Sequence, residues 1–144
     1  MYDRILVAID GSEPSLKALE QAVELALLLG SEIAIVSVVS EMRLPFSAEY
    51  GLWAMESHEE LRRKVLESLN SAILKIKTDH PELKADARME EGRPAKRITE
   101  LAENEGFDLI VIGRRGAGLV DRLIMGSVSS EVVRISTKPV LVVE

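Results

Sequence analysis

Apolar positions along this chain fall into two rhythms. Near-continuous runs occur at Ile5-Leu6-Val7-Ala8-Ile9, Ile33-Ala34-Ile35-Val36-Ser37-Val38-Val39, Leu109-Ile110-Val111-Ile112 and Val140-Leu141-Val142-Val143. Strands buried on both faces read this way, without alternation. One segment differs: Ala85, Ala87 and Met89 alternate with Lys84, Asp86, Arg88 and Glu90, which predicts a half-exposed strand at a sheet edge. Between these runs apolar residues recur at helical spacing: Leu16, Leu19, Val23 and Ala26; Leu61, Val65, Leu69, Ala72 and Ile76; Ile98, Leu101 and Ala102; Val128, Val132 and Ile135.

Local stop and start signals sharpen these elements. Ser12 is a candidate N-cap with Pro14 in the first turn, and Gly30 is a plausible stop for the first helix. Ser57-His58-Glu59-Glu60 has the form of a capping box, which predicts that the second helix begins there and ends at Asp79-His80-Pro81. Gly92-Arg93-Pro94 opens a short third helix that stops near Gly106.

Strand and helix thus alternate, with one closing strand. Right-handed crossovers turn that order into an open, five-stranded parallel sheet with helices on both faces, a single α/β domain over residues 1–144. Four buried strands and one alternating strand suit the order 3-2-1-4-5, with the third strand outermost. The fifth strand is then the other edge, yet it is wholly apolar up to Glu144. Exposed edges of that kind invite pairing, so the expected arrangement is a homodimer through residues 139–143; a covering loop is the alternative.

Residues 40–56 read as the irregular stretch. They hold Phe46, Tyr50 and Trp53, with Met42, Leu44, Leu52 and Met55. A connection this long is functional or disordered, and so much apolar side chain argues against disorder. Two readings stand: a lid or partner-binding patch, or a loop folded down over the sheet.

Composition narrows the function. The chain has 144 residues, 47% apolar but only 3% aromatic, so its core is aliphatic. It has no cysteine, which excludes disulfide scaffolds, thiolate metal sites and cysteine nucleophiles. No apolar run approaches the ~18 residues of a membrane span, and the start MYDRILVAID lacks the form of a signal peptide. The expectation is a cytoplasmic protein. Eighteen basic against 24 acidic residues leave a net charge of −6, which argues against general nucleic-acid binding. Arg114, Arg115 and Arg122 nonetheless cluster in one segment.

That segment is Gly113 to Ser129, GRRGAGLVDRLIMGSVS, lying between a strand and a helix N-terminus. Glycines let backbone take φ > 0 and approach a ligand closely, and the first amides of a helix have no helical acceptor. A phosphate placed there gains those hydrogen bonds and the positive end of the helix dipole, worth ~0.3–1 kcal/mol. The P-loop pattern is absent, since no Gly-Lys-Ser/Thr occurs, and the dinucleotide fingerprint fails because Asp121 stands where a third glycine is needed. In an open α/β sheet ligands bind where strand order reverses, here between the first and fourth strands. Asp10 ends one and Gly113 ends the other.

The spacing Gly113-x2-Gly116-x9-Gly126-Ser127 resembles the nucleotide loop of the ATP-binding branch of the universal stress protein family. The strand ending in Asp10 and the closing STKPVLVVE extend that likeness over nearly the whole chain. The resemblance implies a Rossmann-like, adenine nucleotide alpha hydrolase-like sheet, ATP with Mg or Mn, and dimerisation through the last strand. Position by position, it implies that Ala8, Ile9 and Asp10 line the adenosine end, with Asp10 accepting from ribose hydroxyls or helping to hold a metal. It implies apolar contact to adenine from Val38, with Ile112 near it. Gly113, Arg114, Arg115, Gly116, Ala117 and Gly118 would wrap the phosphates, and Gly126, Ser127, Val128 and Ser129 would give amides and hydroxyls to the same groups. The glycines should resist substitution, a bulky residue at φ > 0 costing ~1–2 kcal/mol.

Each residue also has a structural role open to it. Asp10 could be a turn former, Ser127 and Ser129 helix caps, Val38 and Ile112 core, and the loop glycines simple turn residues. The adjacent arginines suit a triphosphate. No nucleophile-elbow or zinc motif occurs, and His58 and His80 are expected in solvent, away from any nucleophile. Phosphoryl transfer needs a positioned base or water-orienting group, for which Asp10 and Asp121 are the candidates. The expectation is therefore ATP binding with little or no turnover, beside two alternatives: a slow ATPase or phosphotransferase, and a nucleotide-free interaction dimer.

Overall fold

The computed structural model describes residues 1–41, 48–115 and 125–144. Five strands, β1 (Arg4–Ala8), β2 (Glu32–Val39), β3 (Ala85–Glu91), β4 (Leu109–Gly113) and β5 (Val140–Val143), form one sheet in the order β3-β2-β1-β4-β5. Every pairing is parallel, with Ile5 opposite both Ile33 and Leu109 at the centre. The expected topology is the observed one.

Four helices cover the sheet: α1 (Glu13–Leu29), α2 (Ala48–Asp79), α3 (Pro94–Asn104) and α4 (Ser127–Ile135). Strand alternation splits the core in two. Ile5, Val7, Ile33, Ile35 and Val111 face α1 and α2, where they meet Ala18, Ala22, Ala26, Leu69 and Ile76. Leu6, Ala8, Ala34, Val36, Ile110 and Ile112 face the other way, onto Ile98, Leu101 and Ala102 of α3 and Val132 of α4. The reversal of faces falls between β1 and β4, which opens the crevice where ligands bind in such sheets. The small residues Ala18, Ala22 and Ala26, all fully buried, let α1 sit close against the central strands.

The caps of α1 form as read. Ser12 accepts from the Ser15 amide, and Gly30 closes the helix at φ 69° in the left-handed region. The second helix departs from expectation. It starts at Ala48, so Ser57-His58-Glu59-Glu60 lies inside it, and the Glu60 carboxylate pairs with Arg63 and Lys64 instead of capping. Most of the segment read as loop is therefore helical; Met42, Leu44 and Phe46 lie outside the described residues. Leu52, Trp53 and Met55 are exposed, so they do not fold down over the sheet. The reason is geometric: a helix of this length spans ~48 Å against ~23 Å for β3. His58 meets Glu91 at the carboxyl end of β3, and the turns before it project past the sheet edge.

His58 is also not in solvent. Its side chain is 12% exposed, with Nε2 3.1 Å from Glu91, whose second oxygen accepts from Arg62 at 2.9 Å. His80, at the end of α2, is half-exposed as its turn position predicts. β3 is an edge strand, with Ala85, Ala87 and Met89 against the core and charged side chains outward. β5 is the opposite edge, and Val140, Leu141 and Val142 are each half-buried. No helix among the described residues is long and apolar enough to cross a membrane.

Candidate functional site

Three segments converge at the carboxyl edge of the sheet: the turn after β1, the end of β4, and the start of α4. They border a cleft of about 700 Å³, within the ~300–1,000 Å³ of small-molecule sites. Of the residues singled out in the sequence, Ala8, Ile9, Asp10, Val38, Ile112, Gly113, Arg115, Gly126, Ser127, Val128 and Ser129 line it. Arg114 does not, and Gly116, Ala117, Gly118, Asp121 and Arg122 lie outside the described residues.

The lining has two characters. One wall is apolar: Val36 and Val38 from β2, Ile112 from β4, and Pro94 and Ile98 from α3. The other end carries Arg115 and the first turn of α4. Gly126 is the N-cap of that helix, extended at φ −64°, and no side chain among the described residues caps it. The amides of Ser127, Val128 and Ser129 come before the first helical acceptor, so their donors are directed to whatever occupies that end. The Arg115 Nε is buried and has no hydrogen-bond partner among the described residues. A buried unpaired donor is costly, and an anion in the cleft would relieve it.

The adjacent arginines, in the bend that follows β4, have separate fates. Arg115 enters the cleft, whereas Arg114 lies beside Glu144, 3.4 Å from its Oε1. The Arg114 main chain is a junction. Its amide donates to the Val143 carbonyl at 2.6 Å, and its carbonyl accepts from the Gly126 amide at 2.7 Å and the Ser129 hydroxyl at 2.6 Å. Ser129 is buried and gives its proton to backbone carbonyls of Arg114 and Gly126, so its hydroxyl ties the loop ends together.

Asp10 acts as the turn former that its position allows. Its Oδ1 accepts from the Ser12 amide at 2.9 Å and from the Ser12 hydroxyl, which orders the entry into α1. Gly11 in that turn sits at φ 82°, where L side chains are strained. Gly113 has a different reason for being glycine. Its φ is not positive; a Cβ there would lie 2.9 Å from the carbonyl carbon and oxygen of Pro14. Close approach of β4 to α1, not left-handed backbone, excludes a side chain, and Gly126 likewise has negative φ. This corrects the reason given from sequence at both positions.

Ser15, Val36, Pro94, Ile98 and Met125 also line the cleft. Pro94 and Ile98 carried helix-start and helical-face signals, which conceal a second role. The start of α3 follows β3 at the same sheet edge as Asp10 and Gly113, and that shared edge was the available clue to Pro94 and Ile98. Among the described residues no group of three or more His, Asp or Glu side chains could hold a metal ion.

The model of the universal stress protein family matches residues 1–144. Universal stress protein YxiE of Bacillus subtilis (strain 168) is 37% identical over 149 residues, covering 99% of each chain. Universal stress protein MJ0577 of Methanocaldococcus jannaschii is 30% identical, and its structure superimposes with a TM-score of 0.76 over 99% of this chain and 96% of the other. A universal stress protein crystallised in complex with cAMP is 25% identical, with a TM-score of 0.74 over 99% and 97% of the two chains.

Proposed function

The chain belongs to the universal stress protein family, and from that premise we propose that it binds ATP and uses occupancy of the cleft as a regulatory signal, as a homodimer with little or no turnover. The observation that carries this reading is the two-part cleft. Apolar lining at Val38, Ile98 and Ile112 suits a purine base, and the buried Arg115 Nε with the start of α4 suits its phosphates. A likeness to a family member in complex with cAMP supports an adenine nucleotide. The expected wrapping of phosphates by Gly116, Ala117 and Gly118 remains part of the proposal.

The residues fit a nucleotide with its divalent cation. Mg²⁺ or Mn²⁺ is commonly held by substrate phosphates and one or two carboxylates, and Asp10 is the carboxylate lining the cleft among the described residues. The cation would neutralise phosphate charge. Asp10 would meet the cation or the ribose hydroxyls, with its Oδ1 already anchored to Ser12. Arg115 and the α4 amides would orient the phosphates, and Gly113 would allow the β4 end to stay close to α1. The homodimer would form through β5, an apolar edge without internal charge or proline.

Calorimetric titration of Mg-ATP into nucleotide-stripped protein tests the reading, beside Ile98→Trp, which fills the apolar end, with folding of both checked. Binding by wild type that the variant loses is expected. A folded, stripped wild type that takes up no Mg-ATP refutes it. Nucleoside diphosphate release abolished by Asp10→Ala would instead favour a slow ATPase.

A further inference from the structure

The Arg114 peptide joins two surfaces that the proposed function keeps apart, the nucleotide cleft and the β5 edge. Its amide closes the β4–β5 ladder on the Val143 carbonyl at 2.6 Å. Its carbonyl receives the Gly126 amide and the Ser129 hydroxyl, both at the start of α4. Its side chain lies against Glu144, the residue after β5. One residue further, Arg115 lines the cleft, its Nε buried and without a partner among the described residues.

We infer that nucleotide occupancy and dimerisation through β5 are coupled through Arg114, so that ligand in the cleft changes the affinity of one copy of this chain for another. The inference rests on the proposed nucleotide site and homodimer. The edge offered to the second copy follows from register. The carbonyls of Pro139 and Val143 point at β4, since they accept from Ile110 and Arg114. Alternation then turns the main-chain groups of Val140, Val142 and Glu144 to the open edge. A two-fold pairing of β5 with its own copy uses those groups and places Glu144 at the rim of the interface.

Such coupling requires a differential contact, and a phosphate between Arg115 and the α4 amides would supply one. A phosphate held by Arg115 and the α4 amides draws the β4 end and the α4 start together. The residue between them carries both ties, so its peptide cannot reposition without moving Val143 or stretching the Arg114–Val143 bond. The Glu144 carboxylate follows the guanidinium of the same residue. By linkage, whatever factor nucleotide imposes on dimer affinity, dimerisation imposes on nucleotide affinity.

The test is a sedimentation-velocity dilution series with and without saturating Mg-ATP, on wild type and Glu144→Gln, with Mg-ATP binding measured separately by calorimetry. The expected result is a shift of about fivefold or more in the wild-type dimer dissociation constant. Glu144→Gln, outside the cleft, is expected to bind Mg-ATP normally and to show a smaller shift. Where the dimer is too tight to dilute, the rate of subunit exchange between labelled copies is the readout. Normal Mg-ATP binding with an unchanged dimer constant or exchange rate overturns the coupling and leaves the site intact. A variant shift equal to wild type overturns the route through Arg114 and Glu144. A monomer at all concentrations, or no Mg-ATP binding at all, removes a premise, and the calorimetry distinguishes the two.

Discussion

Gly113→Ala probes the closest contact of the site. The added Cβ would lie 2.9 Å from the carbonyl carbon and oxygen of Pro14 and 3.0 Å from the Ser15 amide nitrogen. Ordinary van der Waals contact begins at 3.4 Å, so β4 and the first turn of α1 must separate by roughly 0.5 Å, and both neighbours are main chain that cannot swing aside. Overpacking of this kind costs about 1–3 kcal/mol, a large share of the ~5–15 kcal/mol that holds a domain folded. A urea titration should show a lower midpoint with unchanged slope, and the melting temperature should fall by about 2–4 °C for each kcal/mol. Ser15 and Gly113 both line the cleft, so Mg-ATP affinity should drop as well, by about tenfold for each hydrogen bond displaced. Gly30→Ala is the control. It meets open space at φ 69° and lies at the far end of α1, so it should lose ~1–2 kcal/mol of stability to backbone strain while leaving affinity alone. A Gly113→Ala protein within ~0.5 kcal/mol of wild type would refute the close-approach argument.

Three further outcomes follow from the same geometry. Arg115→Met should keep or slightly raise stability, because it removes a buried unpaired donor, while weakening Mg-ATP binding by about 10–100-fold; an unchanged calorimetric constant would exclude Arg115 as a phosphate ligand. Glu91→Gln should loosen the tie between α2 and β3 that His58 and Arg62 make, exposing the projecting turns of α2 to limited proteolysis before global unfolding; an unaltered cleavage pattern would count against that tie. The Arg88 hydrogen bond, with the charge of Arg88 and Arg4, holds the Glu105 carboxyl below its usual range. A depressed carboxylate pKa stabilises the fold above the unfolded value, and that contribution is lost as pH falls through the folded one. Glu105→Gln should therefore be less stable than wild type at neutral pH and converge with it in acid, read by urea midpoints across the glutamate range. Parallel curves would show that the pair contributes nothing.

Strand order, both sheet edges and the convergence of Asp10 with Gly113 were determined by the sequence alone, because they depend on local rules. A buried parallel strand must be apolar on both faces, an edge strand must alternate, and alternating strands and helices admit few topologies. The α1 caps were legible for the same reason, since Ser12 and Gly30 act on backbone within a few residues. Tertiary structure decided the rest. The start of α2 was misread because Ser57 and Glu60 carry the residue types of a cap, while what extends the helix upstream is invisible to a four-residue pattern. His58 was placed in solvent because its partner Glu91 is 33 residues away in sequence. Arg114 and Arg115 are equivalent in a string of letters, and only the bend after β4 sends one to Glu144 and the other into the cleft. Gly113 makes the point most simply. The sequence shows that a glycine stands there, but its reason is the Pro14 carbonyl 2.9 Å away, a distance set by how α1 packs on the sheet.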